Sequence, residues 1–292
     1  VSDLAPRYPI YIPSKGRSDA LLAARMFDAD AVPYHVVVEP QEAEAYAAVV
    51  GGERVLCLPE SGRGLVYSRT WIKRHSVERG EARHWQFDDD VTQMMRLHLN
   101  HRLPCDAAIA LRAAEDFVDR YENVALPSFN SEFFLPTTGA FSQKWPPFFL
   151  NFRCYTCFLM LNAIPNEWRG RYNEDTDMTL QVLADGWCTI LFNAFCMRTP
   201  ATMTHRGGQT DIYEGDGRRE MARELERRWP RVVSVKRKFG RPQHHVDWKK
   251  FDTPLRPKPG VVIPDGDPYG LALAAKREVR SAALRELLER SQ

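Results

Sequence analysis

The sequence has no uninterrupted apolar stretch of the roughly 20 residues that cross a bilayer. Its most apolar region, Phe148 to Ile164, is broken by Asn151, Arg153, Thr156 and Asn162. Val1 to Arg7 carries Asp3 and Pro6 and has no signal-peptide pattern, so a soluble, cytoplasmic chain with no membrane partner is expected. Six cysteines in 292 residues are too few for a disulfide scaffold. Cys154 and Cys157 form a CxxC, but no second pair follows at zinc-ribbon spacing, so buried reduced thiols are expected. A strong net charge is also missing. The formal value is +2, which excludes a uniformly basic nucleic-acid binder. The charge that is present is unevenly placed: Arg231 to Gly260 holds nine Lys or Arg and two acids, interleaved with Phe239, Trp248 and Phe251. Such a segment suits a phosphate backbone or an ordinary solvated surface, and composition does not choose between them.

What the chain does have is alternation. Tyr8 to Pro13, Tyr34 to Val38, Arg54 to Leu58 and His84 to Phe87 read as short buried strands. Between them, Asp19 to Phe27, Gln41 to Val49 and Leu65 to His75 read as helices. This order predicts an α/β fold with an open, largely parallel sheet. Ligands of such sheets bind outside the carboxyl ends of the strands. Four polar clusters fall at those ends: Ser14 to Arg17, Glu39, Ser61 to Gly64, and Asp88 to Asp90. Further on, Cys105 to Arg120 predicts a helix, Phe129 to Phe141 an aromatic loop and Phe148 to Met160 one long strand. Thr176 to Leu183 and Asp216 to Arg228 predict helices, with a strand at Cys188 to Phe195. A Pro-rich linker over Pro254 to Pro268 and an amphipathic helix over Leu271 to Leu288 close the chain. We expect a domain over 1–230 and a basic, Pro-rich extension with a terminal helix over 231–292, the whole favouring a monomer.

Three constellations carry chemistry. Three successive carboxylates, Asp88, Asp89 and Asp90, are costly after a buried strand unless positive charge sits among them. A divalent cation with a diphosphate answers that, and a solvent-exposed helix cap is the plain alternative. Asn173-Glu174-Asp175-Thr176-Asp177 lies at a helix start, where an acid can cap the helix or act as a general base. Thr204-His205-Arg206-Gly207-Gly208 offers an imidazole beside glycines that allow close backbone approach. An imidazole among carboxylates favours Mn²⁺ over Mg²⁺.

With these clusters in order, residues 8 to 215 resemble GT-A glycosyltransferases. More narrowly, "YIPSKGR", "FDDDV", "NEDTDMTLQVLADGW" and "THRGG" resemble the TET-associated glycosyltransferase family, found largely in bacteriophages and related to the base J glucosyltransferase. The resemblance implies a Rossmann-like open mixed sheet flanked by helices. It implies transfer of a sugar from a UDP-sugar to the hydroxymethyl group of a modified pyrimidine, 5-hydroxymethylcytosine or 5-hydroxymethyluracil, in DNA. By this reading Pro13, Ser14, Arg17, Glu39, Arg63, Arg69, Asp88 and Asp89 bind the donor. Asp88, Asp90 and His205 hold Mn²⁺ or Mg²⁺. Asp175, with Glu174, supplies the base of an inverting reaction. Lys236, Arg237, Lys238, Arg241 and Trp248 are the candidate DNA contacts. Two other readings remain open on sequence: a glycosyltransferase acting on protein or polysaccharide, and a metal-dependent nuclease.

Overall fold

A computed structural model describes residues 5–98, 101–135, 146–200, 217–238 and 240–263. The expected strand and helix alternation builds the first sheet. Strand β1 (Ile10–Pro13) is buried at every residue, as a strand covered on both faces must be. It leads into helix α1 (Leu22–Ala29) and strand β2 (His35–Val38). Helix α2 (Ala43–Val50), strand β3 (Val55–Cys57), helix α3 (Gly64–Glu78) and strand β4 (Arg83–Phe87) follow.

The spatial order of these strands is β3-β2-β1-β4. β1 runs parallel to both neighbours, with Ile12 opposite Val36 and Ile10 opposite Trp85. The chain therefore steps outward from β1 to β3, then crosses back to place β4 on the other side of β1. That reversal opens a crevice between the ends of β1 and β4. The loops leaving those two ends are Ser14 to Arg17 and Asp88 to Asp90.

A second sheet has the order β6-β5-β10-β7, from β5 (Gln93–His98), β6 (His101–Cys105), β7 (Val124–Ser131) and β10 (Cys188–Arg198). Helix α4 (Ala107–Val118) starts where the Asp106 carboxylate accepts from the Ala108 amide. The central core joins the layers through aromatic rings: Trp85 stacks on Phe129 with centroids 5.5 Å apart, and Phe27 meets Phe87 edge-on at 5.1 Å. Helix α5 (Glu174–Ala184) enters beneath the crevice, and helix α6 (Gly217–Arg228) packs near it.

Three sequence expectations are corrected. Phe148 to Met160 is not one strand: β8 (Phe148–Leu150) pairs with β10, whereas β9 (Cys157–Leu161) pairs antiparallel with β4. Asn151 and Thr156 take positive φ, 53° and 64°, and redirect the chain between sheets. Phe129 to Ser131 belong to β7 rather than to a loop; Pro127 fits inside that strand, opposite Ile190 of β10. Cys105 ends a hairpin strand instead of starting α4, because β5 and β6 pair from Met94–Cys105 to His98–His101.

The basic segment forms a two-stranded hairpin of β11 (Val233–Lys238) and β12 (Arg241–Val246). Its base packs on α5 and α6 through Val233, Val246, Leu180 and Leu225. The helix expected over Leu271 to Leu288 lies outside the described residues, as does His205. Cys154 and Cys157 are buried free thiols, and burial pushes Cys157 up to about 12. No helix among the described residues is long and apolar enough to cross a membrane.

Candidate active site

The loop after β1 is held by the strand ends around it. Ser14 Oγ donates to Asp89 Oδ2 at 2.5 Å and lies 2.8 Å from the Tyr46 hydroxyl. The Arg17 guanidinium meets Asp89 Oδ1 at 2.6 Å, and the Arg17 amide donates to the Tyr46 hydroxyl at 3.0 Å. The Gly16 amide, at φ 65°, donates to Glu42 Oε1. Asp89, buried, thus ties the end of β4 to the loop of β1 across the crevice. Pro13 is the last residue of β1 and carries that loop.

Glu39 performs the same service at the end of β2. Its carboxylate accepts from Lys15 Nζ at 3.0 Å, from the Gly62 amide at 2.8 Å and from Gln41 Nε2 at 2.7 Å. Burial raises its carboxyl, yet these donors outweigh burial and hold it below its ordinary value. The loops after β1, β2 and β3 are thereby one connected rim. Arg63, exposed at the entry to α3, pairs with Glu60 and lies over the Tyr67 ring at 5.1 Å.

Arg69, in the middle of α3, organises the inner wall. Its side chain is 2% exposed and sits between the rings of Phe158 and Trp168, 5.0 and 5.1 Å from their centroids. From there Nη2 meets Asp88 Oδ1 at 2.9 Å, Nε lies 3.7 Å from Glu174 Oε1, and Nη1 donates to Gln86 Oε1 at 3.3 Å. One guanidinium therefore links the first acid of the β4 triad to the first acid of α5. Desolvation pushes the Asp88 carboxyl up to about 7; Arg69 opposes the rise, and Asp90, Asp89 and Glu174 add to it. Glu174 is likewise raised, first by desolvation and then by Asp175.

The three acids of α5 divide their work. Asp177 is fully buried and engaged by Arg169 at 2.8 Å, Trp229 Nε1 at 2.7 Å and Gln181 Nε2 at 2.8 Å, with Arg228 at 3.6 Å. It fastens α5 to the segment leading into the hairpin. Asp175 is half-buried and accepts on Oδ1 from the Thr176 amide at 2.6 Å and from the Thr176 hydroxyl at 3.2 Å. Asn173, in left-handed conformation, starts the helix and donates to Met221 O.

A strip over Tyr155 and Thr156 joins the two acidic clusters. The Asp88 amide donates to Thr156 O at 2.9 Å. On the other side the Cys154 amide donates to Thr179 Oγ1, which donates to Asp175 O. The Cys157 amide closes on Tyr155 O at 2.7 Å, a γ-turn with Thr156 at positive φ. A β-branched residue in that conformation stores strain of about 1–3 kcal/mol.

The sequence reading missed Tyr46, Glu42, Gln41, Gln86 and Trp168. Tyr46 and Glu42 sit in or beside an alanine-rich helix that reads as packing, although their spacing from Glu39 puts them beside the same strand end. Of the candidate DNA contacts, Lys236, Arg237 and Arg241 are exposed near the hairpin turn, and Lys238 is the last residue of β11. Trp248 rests on Phe152 with centroids 5.4 Å apart and joins the cluster of Leu180 and Leu225. Among the described residues no group of three His, Cys, Asp or Glu side chains is gathered as a metal cage.

The sequence model of the TET-Associated Glycosyltransferase family matches residues 8–208, more than half of the chain. The chain belongs to that family and is a glycosyltransferase, and its open mixed sheet flanked by helices is the expected GT-A architecture. No curated protein matches it. A solved structure from Desulfovibrio desulfuricans G20, provisionally assigned as a nucleotide-diphospho-sugar transferase, is 10% identical. The match covers 75% of this chain and 95% of that one at a TM-score of 0.39, too slight a likeness to weigh in the assignment.

Proposed function

We propose that this member of the TET-associated glycosyltransferase family transfers a sugar from a UDP-sugar to the hydroxymethyl group of a modified pyrimidine in DNA, with inversion at the anomeric carbon. The observation that carries the reading is the Asp88–Arg69–Glu174 cluster, which joins the crevice end of β4 to the acidic start of α5. Donor and acceptor chemistry need to meet at one such junction.

On the donor side, the rim of Ser14 to Arg17, Glu39 and Gly62 would receive the nucleoside. Asp89 and Glu39 are engaged by loop donors, so their part is to fix the rim that touches the nucleotide. Asp88 and Asp90 are hard oxygen donors, burial resists ionisation of Asp88, and these two carboxylates would hold a Mn²⁺ or Mg²⁺ ion that answers that need. His205 is the proposed third ligand. When bound, the cation neutralises charge developing on the leaving diphosphate. Arg69 keeps Asp88 in place from below.

On the acceptor side, Asp175 is the proposed base. Its Oδ1 is committed to Thr176, so Oδ2 is the atom that would take the hydroxymethyl proton. Glu174, held by Arg69, fixes the first turn of α5 beneath it. A pyrimidine paired in a duplex would have to leave the stack to reach this junction, so the enzyme flips the base or works on single strands. The exposed cations Lys236, Arg237 and Arg241 are proposed to hold the phosphate backbone.

The test combines Mn²⁺, a panel of UDP-sugars and hydroxymethylated or ordinary DNA, with nucleoside masses as the readout. A mass gain of one hexose on hydroxymethylpyrimidine alone is expected. Transfer to a serine peptide or a glycan, with none to DNA, would replace this acceptor. Asp175→Asn is expected to lose at least a hundredfold in turnover, by roughly the 10² to 10⁴ of general-base catalysis, while binding UDP-sugar normally. Near-full turnover in that variant would remove Asp175 from the role.

A further inference from the structure

The second sheet ends in an aromatic pair that the protein holds open to solvent. Phe133 is 81% exposed and Phe134 49%, and their rings meet edge-on at 5.3 Å. Apolar rings are not left this exposed without cost. Here the surrounding contacts fix them in that position. The turn Glu132–Phe134 is anchored below by Leu135, which packs with Met95, Leu97 and Cys196. Arg198 grips the Glu132 carboxylate with two nitrogens, at 2.5 and 3.1 Å, and Arg102 donates to Glu132 O at 2.6 Å. Ser131 Oγ accepts from the Phe133 amide.

A cation completes the surface. The Arg153 guanidinium lies over two rings, 5.0 Å from the Phe134 centroid and 4.4 Å from that of Tyr155. No carboxylate of the described residues pairs with it. The position relative to the site is fixed by Tyr155. Its hydroxyl donates to Asn130 Oδ1 and accepts from the Ser131 amide, one residue before the turn. Its carbonyl closes the γ-turn at Thr156, whose own carbonyl receives the Asp88 amide. The platform and the donor carboxylate are therefore built on two ends of one short strip.

We propose that Phe133, Phe134 and Arg153 form a stacking platform for a nucleobase of the acceptor strand, an inference that rests on the DNA acceptor proposed above. The exposed Phe133 ring, beside a Phe134 ring covered by the Arg153 guanidinium, suits a planar base, and the cations of Arg153 and Arg102 suit the phosphates on either side of it. A purely apolar partner would leave Arg153 desolvated without a counter-charge. The platform holds the base next to, or at, the one being modified, while Asp175 and the donor crevice carry out the reaction.

The test uses the full chain and two labelled single-stranded oligonucleotides of equal length and charge, one carrying pyrimidines and one abasic, with anisotropy as the readout. The wild type is expected to prefer the base-bearing strand by at least tenfold. Phe133→Ala with Phe134→Ala should weaken that strand by roughly 5- to 150-fold, the range for loss of one stacked base, and leave the abasic strand within twofold. Phe133→Tyr should keep the preference and Phe133→Leu should lose it, which separates stacking from apolar contact. UDP binding should be unchanged in all variants, showing that they are folded. Equal binding of both strands by the wild type, or a preference the double variant retains, overturns the platform and leaves the DNA acceptor standing. No binding of either strand overturns both. A wild-type dimer that the double variant dissolves would assign the rings to a self-interface and also overturn the platform.

Discussion

Replacing Arg69 by Met is the most informative single perturbation of this site. The side chain is 2% exposed and serves two carboxylates, Asp88 at 2.9 Å and Glu174 at 3.7 Å, as well as Gln86. Met fills most of the volume between Phe158 and Trp168, so the loss is mainly electrostatic. Removing one partner of a buried ion pair costs about 3–5 kcal/mol, because the remaining charge is left without compensation. Asp88 is 35% exposed and its carboxyl, already raised to about 7, takes up a proton once Arg69 is gone, which places the expected loss at the low end, near 3 kcal/mol. That corresponds to a fall in Tm of roughly 6–12 °C. Arg69→Lys keeps the charge but not the planar fork that reaches three partners, so it should regain part of the stability and little of the turnover. Thermal and urea denaturation give the first quantity, and kcat at saturating UDP-sugar gives the second. If Arg69→Met stays within about 1 kcal/mol of wild type, the ion-pair argument fails. If it loses stability while kcat holds within twofold, Arg69 does not position the reacting carboxylates.

Two further predictions concern the strain and the buried histidine behind the site. Thr156→Gly relieves a positive φ and should raise stability by roughly 1 kcal/mol after the entropy cost of glycine, while turnover falls as the strip between the acidic clusters loosens. A less stable glycine variant in denaturant titration would mean that the threonine side chain contributes more than its strain removes. His84 is fully buried; its Nε2 accepts from Gln86 and its Nδ1 donates to Asn162 Oδ1, and desolvation lowers it to about 4 from 6.5. A lowered folded value means that its contribution is intact above pH 6.5 and is lost as pH falls toward 4, about 3 kcal/mol in all. His84→Gln should therefore show a flatter stability profile than wild type between pH 6.5 and 4. Parallel profiles for the two proteins would contradict the assignment.

The four parallel strands of the first sheet were legible because three are short apolar runs, the fourth carries Trp85 and Phe87, and helix-period segments separate them. Each local signal there agrees with the tertiary arrangement. The second sheet was not. Phe129 to Ser131, with polar Asn130 and Ser131, read as the start of a loop, yet they end the strand Val124–Ser131, which contains Pro127 and runs beside β10. Phe148 to Met160 shows the opposite failure: its apolar composition is strand-like throughout, and only the conformations of Asn151 and Thr156 divide it between sheets. Neither residue type announces a left-handed turn as glycine would.

The acids illustrate what a linear motif can and cannot carry. Asp88-Asp89-Asp90 and Glu174-Asp175-Asp177 are each a run of equivalent charges on paper. In the fold each run is divided by cations from other parts of the chain. Asp89 goes to Arg17, 72 residues back, and Asp88 to Arg69. Asp177 goes to Arg169 and Arg228, at the far end of α5's contacts. Spacing alone cannot show which carboxylate meets which guanidinium, because that depends on strand order and helix rotation. The division also bears on mechanism. A buried acid whose oxygens are already taken by guanidinium, indole and amide donors has no free oxygen to offer an acceptor hydroxyl. That argument sets Asp177 aside and makes Glu174 a support. It leaves Asp175, whose carboxylate is met among the described residues by the amide and hydroxyl of its neighbour on Oδ1, as the acid of α5 with an oxygen to offer an acceptor.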